Sequence, residues 1–125
     1  MKRLLLGLGL VALAAISAAC SGGSSSSPTV APSVPADAIV VVAKDIAFSP
    51  TEVAVPAGEP VTIVLDNQED APHNIAIKDS TGAEVFKGEI VTKTQVTYEI
   101  PALTAGSYPF ICEVHPNMTG TITAS

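Results

Sequence analysis

Apolar and polar residues alternate with a period of two along most of the chain after residue 37. Ala38 to Ala43 (AIVVVA) is a β-branched run. Val61 to Asp66 sets Val61, Ile63 and Leu65 against Thr62, Val64 and Asp66. His73, Ile75 and Ile77 share one face of the segment His73 to Lys78, and Val96, Tyr98 and Ile100 one face of Thr94 to Ile100. Tyr108, Phe110 and Cys112 form another alternating set, and Thr119 to Ala124 is a last candidate. This period with β-branched enrichment predicts strands. Turn-forming residues separate them, at Ser49-Pro50, Pro56-Ala57-Gly58, Asp66-Asn67, Ser80-Thr81-Gly82 and Ala105-Gly106. No helical period stands out. Six to eight short strands in one small domain, residues 37–125, predict an all-β, antiparallel Greek-key β-sandwich. Pro109 has no N–H to donate, so it is expected at a bulge, at an edge, or with that position facing no neighbour.

The front of the chain follows different rules. Lys2 and Arg3 precede an apolar run from Leu4 to Ala19, 16 residues long, against about 20 needed to span a bilayer. Residues 1–19 therefore read as an export signal of the lipoprotein type rather than a retained anchor. Ser17-Ala18-Ala19-Cys20 resembles a bacterial lipoprotein processing site, with Ser17 where an aliphatic residue is usual. Lipidation at Cys20 would hold the protein on a membrane. Residues 20–36 then form a flexible Ser/Gly/Pro linker, too poor in apolar residues to fold. The location implied is periplasmic or cell-surface.

Removing Lys2 and Arg3 leaves four lysines against 12 acidic residues, a net charge of −8. That excludes nucleic-acid binding, which needs basic surface, and suits partners with basic docking faces. With Cys20 lipidated, Cys112 is a lone thiol in an oxidising compartment, and metal ligation would protect it; a Cys20–Cys112 disulfide is the rival arrangement.

The chemistry concentrates in few residues. His73 and His115 are the only histidines, and Cys112, His115 and Met118 fall within one stretch, CEVHPNM. Pro116 disfavours a helix there, so a tight loop between strands is expected to turn these side chains towards one centre that His73 joins from another strand end. A thiolate, two imidazoles and a thioether suit copper cycling between Cu(I) and Cu(II): Cys112, His73 and His115 in a trigonal plane with Met118 as weak axial ligand. Zinc accepts Cys and His, but Met is an unusual ligand for it.

Ala71-Pro72-His73-Asn74, Gly106-Ser107-Tyr108 with Phe110, and Cys112-x-x-His115-Pro116-x-Met118-x-Gly120 together resemble the cupredoxins, the type 1 blue copper proteins. Within them the short His115-to-Met118 gap is similar to the amicyanin pattern rather than to the longer gaps of plastocyanins. Phe48-Ser49-Pro50 and Val55-Pro56-Ala57-Gly58 also look like early elements of that family. The resemblance implies a monomeric electron carrier, not an enzyme, with one copper and redox protein partners. It implies that His115, flanked by Pro72 and Pro116, is the electron port and that Asn74 braces the site. Relatives carry Thr or Ser after the copper cysteine, where it would pair with the Asn. Here Glu113 puts that pairing in question and adds negative charge beside the metal. The alternative reading of the same ligands is copper storage or delivery without electron transfer.

Overall fold

The computed structural model describes residues 34–125; the expected signal, Cys20 and most of the linker lie outside them. Nine strands follow in chain order among the described residues: β1 (Ile39–Lys44), β2 (Ala47–Ser49), β3 (Glu52–Val55), β4 (Val61–Asn67), β5 (Ala76–Lys78), β6 (Glu84–Lys87), β7 (Gln95–Ile100), β8 (Gly106–Ile111) and β9 (Thr119–Ala124). They make two sheets, β2-β1-β4-β7 and β3-β9-β8-β5-β6. The all-β sandwich expected from the alternation is present, with no helix among the described residues.

Three differences are informative. The count exceeds eight because β2, β3 and β6 are only three or four residues long, too short for alternation to stand out. The sandwich is not wholly antiparallel. β1 lies parallel to β4 and β3 parallel to β9, since the chain changes sheets between β2 and β3 and again between β3 and β4. The strand expected from His73 begins only at Ala76, and His73 makes an isolated bridge to Val91 instead.

Alternation sets which faces meet. In β7, Tyr98 and Ile100 are buried while Gln95, Thr97 and Glu99 are exposed. β4, inside its sheet, buries Val64 as well as Val61, Ile63 and Leu65. Val41, Phe48, Val53, Ile63, Ile75, Phe110 and Ile122 fill the space between the sheets. Each large side chain so buried contributes roughly 1.5–3 kcal/mol relative to exposure. Packing is close where β8 meets β9. Gly120 sits opposite Phe110, and a Cβ there would lie 2.2 Å from the Phe110 ring and 2.7 Å from the Thr51 carbonyl oxygen. Pro109 faces Thr121 of β9, and the ladder to β5 stops at Phe110 before reaching it. The proline is thus accommodated within an interior strand.

The register of β5 on β8 positions everything that follows. Ala76 pairs with Ile111 and Ile77 with Phe110, antiparallel. The chain entering β5 therefore lies beside the chain leaving β8, which places His73 to Ile75 against Cys112.

Candidate metal centre

Cys112 leaves β8 with its side chain turned inward, fully buried. Its N–H donates to the Met118 carbonyl at 3.0 Å, and the Met118 N–H donates to the His115 carbonyl at 2.8 Å. The second bond closes a four-residue turn, His115 to Met118, with Pro116 at its second position. There the fixed φ of proline is favourable. The loop folds back as the sequence predicts, and it carries Cys112, His115 and Met118 on one short hairpin.

Three donors converge. Cys112 Sγ lies 3.7 Å from Nδ1 of His73 and 3.8 Å from Nδ1 of His115. All three ligand atoms fall within 4.8 Å of one another. With metal–nitrogen bonds of about 2.0–2.1 Å and a metal–sulfur bond of about 2.3 Å, as at zinc, a trigonal arrangement puts nitrogen and sulfur about 3.8 Å apart. The donors are thus already spaced for one ion. Met118, close to them in sequence and immediately before β9, is buried and belongs to the core cluster. A buried thioether added to thiol and imidazoles favours copper over zinc. His73 is fully buried, while His115 is only partly so.

The orientation of His73 is set from behind. Its Nε2 donates to Glu69 Oε1 at 2.6 Å, which leaves the Nδ1 lone pair pointing towards the thiol. Holding an imidazole by its other nitrogen is the usual way a ligand tautomer is fixed. Glu69 is held in turn. Its Oε1 also accepts the Ile46 N–H at 3.1 Å, and its Oε2 accepts the Asp45 N–H at 3.2 Å. The Ile46 amide above all, with His73 and Asp45, keeps the Glu69 carboxyl below the ordinary carboxylate range. Asp45 and Ile46 form the two-residue turn between β1 and β2, at φ of 53° and 56°. Such values fit the tight hairpin turn but are costly for a β-branched residue such as Ile46; the carboxylate bonds offset that strain. Asn67 organises the same loop. It is buried, its Nδ2 donates to the Ala71 and Val91 carbonyls at 2.8 Å each, and its Oδ1 accepts the Glu69 N–H at 3.0 Å.

Asn74, next to His73, is fully buried. Its Oδ1 accepts the Glu113 N–H at 3.0 Å, and its Nδ2 donates to Glu113 Oε2 at 2.8 Å. The pairing that Glu113 put in question is therefore made twice, because the longer side chain curls back to the amide. Lys87 Nζ lies 2.8 Å from Glu113 Oε1 and partly offsets the charge that the sequence places beside the metal. Lys87, first, and then Asn74 hold the Glu113 carboxyl below its usual range. Pro116 serves the turn.

Sequence reasoning did not find Asn67, Glu69 or Lys87 as parts of this site. The spacing of four between Glu69 and His73 was a visible signal; Lys87, 26 residues from Glu113, had none.

The chain was compared with known proteins. A family model described as a cupredoxin-like domain matches residues 9–124. Amicyanin from Paracoccus versutus is 41% identical over 100 residues, covering 79% of this chain and 74% of the relative. The crystal structure of the amicyanin from that organism superposes with a TM-score of 0.61 at 38% identity, covering 74% of this chain and 85% of that one. Auracyanin A from Chloroflexus aurantiacus, a "blue" copper protein, shares the fold at a TM-score of 0.63 and 22% identity, over 70% of this chain and 98% of its own.

Replacing Asn67 by Ala removes three hydrogen bonds made by a buried side chain and takes the side-chain donor from the Ala71 carbonyl, while the Val91 carbonyl keeps the His73 N–H. The metal-free protein should lose about 2–3 kcal/mol of stability in urea denaturation. A change below about 0.5 kcal/mol would show that the loop carrying Glu69 and His73 does not depend on Asn67.

Proposed function

The chain belongs to the cupredoxin-like family, and from that premise we propose that it carries single electrons between redox proteins outside the cytoplasm. One copper would be held by His73, Cys112, His115 and Met118. The observation that carries this reading is the convergence of the Cys112 thiol on both imidazole Nδ1 atoms at 3.7 and 3.8 Å. Bound there, copper supplies a one-electron couple between Cu(II) and Cu(I).

The protein's contribution is to hold its donors in one place. Glu69 keeps the His73 proton on Nε2, Asn74 and Glu113 tie the two strand ends beside Cys112, and the Pro116 turn brings Met118 back. Donors fixed in this way leave little to rearrange when the charge on the metal changes. His115 is the partly exposed ligand, with exposed Val114 and Pro116 beside it, which supports its role as the electron port. With only two histidines in the chain, both engaged here, a second, catalytic copper would lack imidazole ligands. No enzyme activity is assigned. The acidic balance favours redox partners with basic docking faces, met by a monomer.

We further propose that residues 1–19 direct export, that Cys20 is lipidated, and that residues 20–36 tether the copper domain, residues 37–125, to a membrane.

Cu(II) should bind at one equivalent and produce intense visible absorption that reduction bleaches. Cys112→Ser should abolish the absorption, and a wild-type protein that stays colourless or takes up two equivalents would contradict the assignment. Expressed with its own leader, the protein should partition with membranes, and Cys20→Ala should move it to the soluble fraction. An unchanged distribution would refute the tether.

A further inference from the structure

Glu113, Lys87, Gly88 and Asn74 close a ring of contacts beside the Cys112 thiol. Asn74 Nδ2 donates both to Glu113 Oε2 and to the Gly88 carbonyl, at 2.8 and 3.0 Å. Lys87 precedes Gly88 at the end of β6, and its ammonium reaches Glu113 Oε1 at 2.8 Å. β6 and β8 flank β5, so Lys87 crosses over β5 to meet the residue that follows Cys112. The ring joins three segments: the end of β6, the entry to β5 and the exit from β8.

Charge gives this ring a consequence for the metal. A carboxylate one residue from the thiolate favours the more highly charged Cu(II) and lowers the reduction potential. An ammonium against its outer oxygen opposes that effect. It also keeps the carboxylate aimed so that its inner oxygen bonds Asn74. Both partners are partly exposed, 53% for Lys87 and 28% for Glu113, so the pair adds little to stability. Its effect belongs to the site rather than to the fold.

We propose that Lys87 is a positioning and charge-balancing residue of the copper site, acting through Glu113 on the loop that carries Cys112. The inference rests on the copper reading above. In the copper-loaded protein, Lys87→Met should lower the reduction potential and Glu113→Gln should raise it. In the Glu113→Gln background, Lys87→Met should shift the potential by less than half as much, which identifies coupling rather than two independent charges. Lys87→Arg should restore the wild-type value. In the metal-free protein, the Glu113 backbone amide should exchange several-fold faster in Lys87→Met than in wild type. Equal shifts from Lys87→Met with and without the Glu113 carboxylate, or no shift in either potential or exchange, would overturn the proposal. A wild-type protein that fails to bind copper would defeat the functional reading instead, and the metal-free exchange would then decide the ring on its own.

Discussion

The antiparallel register of β5 against β8 is the constraint on which the site depends. Ala76 opposite Ile111 fixes the residues that flank these strands: His73 and Asn74 ahead of β5, Cys112 and Glu113 just after β8. Side chains alternate across a strand, so a slip of one residue would turn Cys112 out of the core and Ile111 into it. The core enforces the register. Ile77 of β5, Ile75 just before it and Phe110 of β8 are each almost completely buried, and none could reach solvent without exposing a large apolar surface. Hydrophobic packing some distance from the donors therefore sets the distance between them.

Around that seam the polar groups are completely accounted for. No buried side-chain nitrogen or oxygen among the described residues lacks a hydrogen-bond partner, although His73, Asn74 and Asn67 are all withdrawn from solvent. The two parts of the site use different devices. Behind His73 a carboxylate gathers two strained turn amides and an imidazole. Beside Cys112 a carboxylate gathers an ammonium and a buried amide. Each anion is satisfied by partners from distant segments, so neither loop can shift without breaking contacts elsewhere. This is how a small domain keeps four potential ligands in place when three of them lie on one hairpin loop.

Much of this was legible in the sequence, for reasons that differ by residue. Cys112, His115 and Met118 were readable as candidate ligands because they lie close together in one loop and their residue types are rare in the chain. His73 was readable because no other histidine could complete the set. β1, β4, β7 and β9 announced themselves by length and alternation. β2, β3 and β6, of three or four residues, did not, because their pairing comes from partners rather than from their own pattern. The parallel pairings of β1 with β4 and β3 with β9 depend on sheet crossings that alternation does not encode. The doubt over Glu113 came from comparing one position with the short hydroxyl of relatives. It was answered by Lys87 and Asn74, which only the fold brings near. Glu69 and Asn67 were only partly visible: Glu69 stands four residues before His73 and Asn67 four before Ala71, but the Asp45 and Ile46 amides that hold Glu69 and the Val91 carbonyl that Asn67 bonds lie more than twenty residues away.

The central claim is that the protein, not the metal, sets the donor positions. The most direct test is a pair of crystal structures, copper-free and copper-loaded, from one crystal form. The account predicts that Nδ1 of His73, Nδ1 of His115 and Sγ of Cys112 coincide in the two within about 0.5 Å, the tolerance of a preorganised site. A copper-free structure with either imidazole swung away from the thiol, or with residues 112–118 refolded, would contradict it.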